Sequence, residues 1–124
     1  SNALRQLGEE NKRPGMVRDA NNILAAEAVL LIGSNELAMG LNCGYCGYNS
    51  CDARADGVPC AMNTIDVGIA VGSACATAAD LRLDTRVMYS VGYAALKLGW
   101  LPKCNYVIGI PVSAGSKNPF FDRK

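Results

Sequence analysis

Four of the six cysteines in this 124-residue sequence, Cys43, Cys46, Cys51 and Cys60, fall within eighteen positions in the pattern C-x2-C-x4-C-x8-C. Thiolates so close along one irregular loop can converge on a single point, as a cubane or a metal ion requires. Gly44 and Gly47 each directly follow a cysteine, where a positive φ and a close approach of backbone N–H groups to sulfur are useful. Closely spaced C-x2-C and C-x4-C steps with a last ligand further along favour an iron–sulfur cluster. A structural zinc site more often uses two C-x2-C or C-x2-H pairs on separate knuckles, so zinc is the second reading. The third reading, cysteine as a small buried apolar residue, explains Cys75 and Cys104 better than it explains the quartet.

The sequence contains no histidine. A Ser-His-Asp or Cys-His nucleophilic centre cannot be assembled, nor a catalytic metal held by imidazoles, so any catalysis needs a cofactor. Charged residues make up 19% of the chain and the formal net charge is +1, which gives no field to recruit nucleic acid or an anionic membrane. No apolar run is long enough to span a bilayer and no signal peptide is legible, so a cytoplasmic location is expected. In that reducing compartment, clustered cysteines read as metal or redox ligands rather than disulfides.

The chain is long enough for one domain with a core of its own. Residues 1–3 look like an expression scar. Leu4 to Asn11 reads as the last turns of an amphipathic helix whose beginning is missing, ended by Arg13-Pro14-Gly15. Met16 and Val17 suggest a short strand, and Asp19 an N-cap for a short helix to Ala26. Ala28 to Ile32 is a continuous apolar run, expected as a strand buried on both faces. From its carboxyl end the chain runs into the cysteine loop, residues 40–60, with Pro59 restraining the approach to Cys60.

Asn63 to Leu81 is predicted as a long helix with Ile65, Ile69, Gly72, Cys75, Ala76 and Ala79 on its packed side. Gly68 and Gly72 thin that side, either for close packing or to admit a flat cofactor. Asp84 is expected to cap a second helix, Thr85 to Leu98, with Gly99 ending it. Asn105 to Val112 is a second apolar strand, and a right-handed crossover through the helices would set it parallel to the first. The expected fold is therefore α/β, a small, mainly parallel sheet flanked by two long helices, with the cysteine-rich loop inserted after a central strand. Residues 61–112 form its core and 113–124 a tail whose Phe120 and Phe121 need an apolar surface. Gly33 to Gly40 and Gly115-Ser116-Lys117 do not match phosphate-binding patterns, and Lys117 with Arg123 reads better as a solvated tail than as an anion site.

These segments together resemble the uncharacterised prokaryotic ferredoxin-domain-containing family, a domain of unknown function found in bacteria and archaea. The residues that carry the likeness are Gly40-Leu41-Asn42-Cys43-Gly44-Tyr45-Cys46-Gly47, Pro59-Cys60, Ile65 to Ala70, Arg86 to Gly92, and Gly109 to Ser113 with Phe121-Asp122-Arg123. The resemblance implies that residues 4–124 are a single ferredoxin-type domain and that Cys43, Cys46, Cys51 and Cys60 inherit the ligand role. It also implies an additional N-terminal stretch in other members. The helix-helix-strand order from Ile65 to Val112 is weakly similar to the C-terminal half of nitroreductase-like flavoproteins.

Three functions follow. The first is an electron-transfer or redox-sensing module carrying one [4Fe–4S] cluster, shielded by Tyr45 and Tyr48 and exchanging electrons with a redox partner protein. Aerobic handling would lose that cluster or replace it by zinc. The second is a flavin-dependent oxidoreductase with FMN on the Gly68 to Gly72 helix, and the third a zinc-stabilised dimeric scaffold. Two strands alone make a marginal sheet, so a homodimer is expected, with the Asn63 to Leu81 helix packed across a two-fold axis and the Phe120-Phe121 tail reaching a neighbour.

Overall fold

The computed structural model describes residues 1–35 and 37–121; Arg123 and the Asp122-Arg123 part of the tail motif lie outside the described residues. Its elements in chain order are α1 (Asn2–Glu10), α2 (Pro14–Asn22) with a 3-10 turn at Ile23–Ala25, β1 (Ala28–Ser34), α3 (Ala61–Asp80), β2 (Asp84–Thr85), α4 (Tyr89–Lys97) and β3 (Tyr106–Ser113). Asn2 and Ala3, read above as tag residues, form the first turn of α1, and Ser1 Oγ donates to the Ala20 carbonyl at 2.8 Å. Met16 and Val17 lie in α2 rather than in a strand, because Pro14 starts a helix there with its ring at the first position.

The sheet is antiparallel, not mainly parallel. Its order is β1-β3-β2, so β1 is an edge strand with Val29 and Leu30 exposed, rather than a central strand buried on both faces; Ala28 stands opposite Val112 and Ser34 opposite Tyr106 on one side of β3, and Asp84 opposite Ser113 on the other. The crossover logic fails at β2, a two-residue strand inside what reads as the start of a helix. Through α3 the chain crosses from β1 to β2, which run parallel to each other but have β3 between them. The chain then turns through α4 and enters β3 in the opposite direction. Met88 continues the β2 register by bridging to Gly109, with hydrogen bonds of 2.8 and 3.1 Å, and so serves as N-cap of α4. Asp84 is thus a strand residue and caps no helix. Nor are there two long flanking helices: α3 has 20 residues, whereas α1, α2 and α4 have nine each.

Strand alternation divides β3 between two layers. Val107 and Gly109 face α4, and α1 and α2 pack behind it. Leu4, Met16, Ala20, Met88, Val91, Ala94 and Phe120 form the buried core there. Phe120 is 1% exposed and inserts into the core of its own chain rather than a neighbour's. Arg86 and Asn22 both donate to its carbonyl, at 2.7 and 3.3 Å, and the Arg86 guanidinium lies 5.0 Å from the centre of the exposed Phe121 ring.

Tyr106 and Ile108 face α3, where the layer is thin. Val71 is the one residue of α3 that is buried. Val67, Ala74 and Ala78 are half-buried beside it, while the stripe expected to pack, Ile65, Gly68, Ile69, Gly72, Ala76 and Ala79, is exposed; Cys75 is half-buried. Both faces of α3 are apolar, and the sheet covers the other one. Gly99 ends α4 with φ +74, as its position after Leu98 predicts.

Candidate metal centre

Among the described residues of the loop between β1 and α3 there is no helix or strand, and its shape comes from residues that tolerate a left-handed backbone. Gly40, Gly44, Gly47 and Gly57 have φ of +73, +73, +89 and +81. Asn42, at φ +47, joins them without being glycine, a conformation that Asn reaches more easily than most residues. These turns fold the loop back so that Cys43, Cys46, Cys51 and Cys60 all line one cavity, together with Met39, Leu41 and Tyr48. Cys75 and Cys104 do not line it. Cys104 packs against Gly33, where a Cβ would stand 2.9 Å from its Sγ.

The donor set suits a thiolate-bound centre, but the sulfurs do not stand as a finished ligand sphere. Among the described residues, no three Cys, Asp or Glu side chains come together closely enough to hold a metal ion. The enclosed volume, about 10 Å³, is enough for roughly one water molecule and not for a cubane. All six cysteines are free thiols. Around the cavity the loop is fixed by anchors of its own.

Two asparagines supply those anchors. Asn42 N–H donates to Cys51 Sγ at 3.3 Å and Cys51 N–H donates to Asn42 Oδ1 at 2.8 Å, a reciprocal clamp across the loop. Cys60 is the N-cap of α3, with φ −70 and ψ 123. The backbone N–H of Asn63 is the largest influence holding its thiol below the usual thiol range, followed by the N–H of Met39; burial opposes them, and Met62 N–H and the Arg54 charge add to them. The Asn63 side chain in turn accepts from Ser34 Oγ at 3.0 Å and from Tyr106 OH, which ties the head of α3 to the ends of β1 and β3.

Asn42 could have been singled out from the sequence, since Asn before a cysteine and between glycines signals a left-handed turn. Asn63 carries no such signal; its partners lie 29 and 43 residues away. Tyr48 lines the cavity as expected of a shield, but Tyr45 is 72% exposed and lies outside it. Gly68 and Gly72 pack against nothing, because a Cβ on either would meet no atom within 4 Å.

The pattern of a family described as "Uncharacterized protein containing a ferredoxin domain (DUF2148)" matches residues 56–123, more than half of the chain. The chain belongs to this family. The matched stretch includes Cys60 and begins after the other three cysteines of the quartet. An uncharacterized protein of Archaeoglobus fulgidus is 44% identical over 117 residues, covering 86% of this chain and 63% of that protein. The chain thus spans less than two thirds of that relative's length. No solved structure matches. Nothing in these matches points to a nitroreductase. Among the described residues of this ferredoxin-domain protein, no helix is long and apolar enough to cross a membrane.

Proposed function

We propose that this protein is an electron-transfer or redox-sensing module whose [4Fe–4S] cluster is held by Cys43, Cys46, Cys51 and Cys60. One observation carries the reading: these four thiols, out of six, share a single cavity, in a member of a family described by its ferredoxin domain. When bound, such a cluster supplies a one-electron carrier. The chain's own part is to present four thiolates, donate N–H groups to their sulfurs and keep bulk water away from part of the site. Asn42 N–H at Cys51 and the N–H groups of Met39, Met62 and Asn63 around Cys60 make the first contribution. Such hydrogen bonds favour the thiolate and set the potential of a sulfur-bound centre. Met39, Leu41, Met62 and Tyr48 make the apolar wall. Cys43 is exposed, which leaves one ligand at the surface where a redox partner protein can come close.

A four-thiolate set also binds zinc, and the ferredoxin domain of the family is what favours iron. Anaerobic reconstitution with ferrous iron and sulfide separates the two. The expected product is brown, contains about four irons and four sulfides per chain and becomes paramagnetic on reduction. A colourless protein that takes up one zinc and rejects iron would sink the proposal.

A further inference from the structure

α3 is apolar on two sides but packed on one. Val67, Val71, Ala74 and Ala78 turn to the sheet, while Ile65 and Ile69 are 49% and 66% exposed on the other side, with Gly68, Gly72 and Ala76 beside them. A helix that is hydrophobic all round belongs in an interior, covered on both faces. β1, against which α3 packs, is an edge strand and leaves Val29 and Leu30 exposed as well. The surface area gives the scale of what is uncovered. The chain exposes 7789 Å², whereas a compact monomer of 13.1 kDa exposes about 6,400 Å². The excess, roughly 1,400 Å², is spread over the whole chain, the open cysteine loop included, and leaves room for the about 800 Å² that each partner contributes to a standard interface.

We propose that the exposed face of α3 is the interface between two copies of this chain, packed about a two-fold axis. Two features select a second copy over a different partner. In an isologous contact a surface meets itself, so any charge near the axis faces a like charge; α3 carries none between Asp66 and Asp80. The centre of the stripe is also thin. A Cβ at Gly68 or Gly72 would find nothing within 4 Å, so the backbone of a second helix can approach closely there, with Ile65 and Ile69 of each copy flanking the crossing. The inference rests on the face of α3 alone and does not depend on what the cysteines bind.

Light scattering on the purified chain tests it. At tens of micromolar the expected mass is about 26 kDa, twice the 13.1 kDa of the chain. Ile69→Lys places two positive charges at the axis and should return the mass to that of one chain with unchanged circular dichroism. Gly72→Leu is the second variant, chosen because a Cβ there would meet no atom of the protomer within 4 Å. It should likewise give a monomer, with thermal stability of the separated chain kept. A wild-type mass of one chain overturns the proposal and leaves the face to a different chain or segment. A dimer that survives both variants also overturns it, because the contact then lies elsewhere.

Discussion

Ser90 Oγ donates a 2.6 Å hydrogen bond to Asp19 Oδ2, joining the first turn of α4 to the middle of α2 across 71 residues, with both side chains buried. The other carboxylate oxygen accepts from the Arg18 guanidinium at 2.9 Å. Asp19, read from the sequence as a helix cap, is instead the polar pin between the helical layer and α4. Ser90→Ala removes one of its two partners and leaves the ion pair. The expected cost is about 1–3 kcal/mol, toward the lower end because Arg18 still satisfies Oδ1. Urea unfolding followed by circular dichroism measures it, and a variant as stable as the wild type would remove Asp19–Ser90 from the structural core.

Gly92 places the backbone of α4 directly against β3. A Cβ there would stand 1.8 Å from the Val107 carbonyl oxygen and 2.4 Å from its carbon, both backbone atoms that cannot swing aside. Gly92→Ala should therefore cost at or above the top of the usual range for overpacking, about 1–3 kcal/mol, although alanine is the better helix former. The same unfolding experiment decides it: a stabilised Gly92→Ala would mean that α4 does not sit this close to the sheet.

Replacing any one of Cys43, Cys46, Cys51 or Cys60 by Ser should remove most of the iron bound after reconstitution, while Cys75→Ser and Cys104→Ser should leave it. The motivation is the shared cavity, which Cys75 and Cys104 do not line. Iron and sulfide assays read the outcome. Full iron content in Cys60→Ser would break the quartet and make Cys75 or Cys104 the next ligand to test.

In the metal-free protein, the N–H groups around Cys60 hold its thiol below the usual range. Ultraviolet titration of thiolate absorbance should show a step below the ordinary thiol range that Cys60→Ser abolishes. The sign follows from the lowered value. Ionised Cys60 contributes stability that is fully present above the pKa of an unfolded thiol and is lost as pH falls through the folded one. If Cys60→Ser leaves that step in place, the N-terminus of α3 does not tune this sulfur.

Local chemistry was legible in the sequence. The spacing of Cys43, Cys46, Cys51 and Cys60, the positive φ at Gly44 and Gly47, the apolar runs of β1 and β3, the helix α3 and the Gly99 stop after α4 all depend on residues close to one another along the chain. Strand direction was not legible, because it turns on Asp84 and Thr85, two polar residues whose pairing with Ser113 and Val112 has no hydrophobic signature. The covered side of α3 was hidden for a different reason. Ile65 and Ile69 on one face and Val67 and Val71 on the other give the helix two apolar stripes, and periodicity cannot say which one the sheet takes. Tertiary structure alone placed Asn63 between Ser34, Tyr106 and Cys60, since a hydrogen bond between residues 43 apart leaves no periodic trace. Spacing could bring four sulfurs toward one cavity; the head of α3, tied through Asn63 to β1 and β3, decides where Cys60 stands.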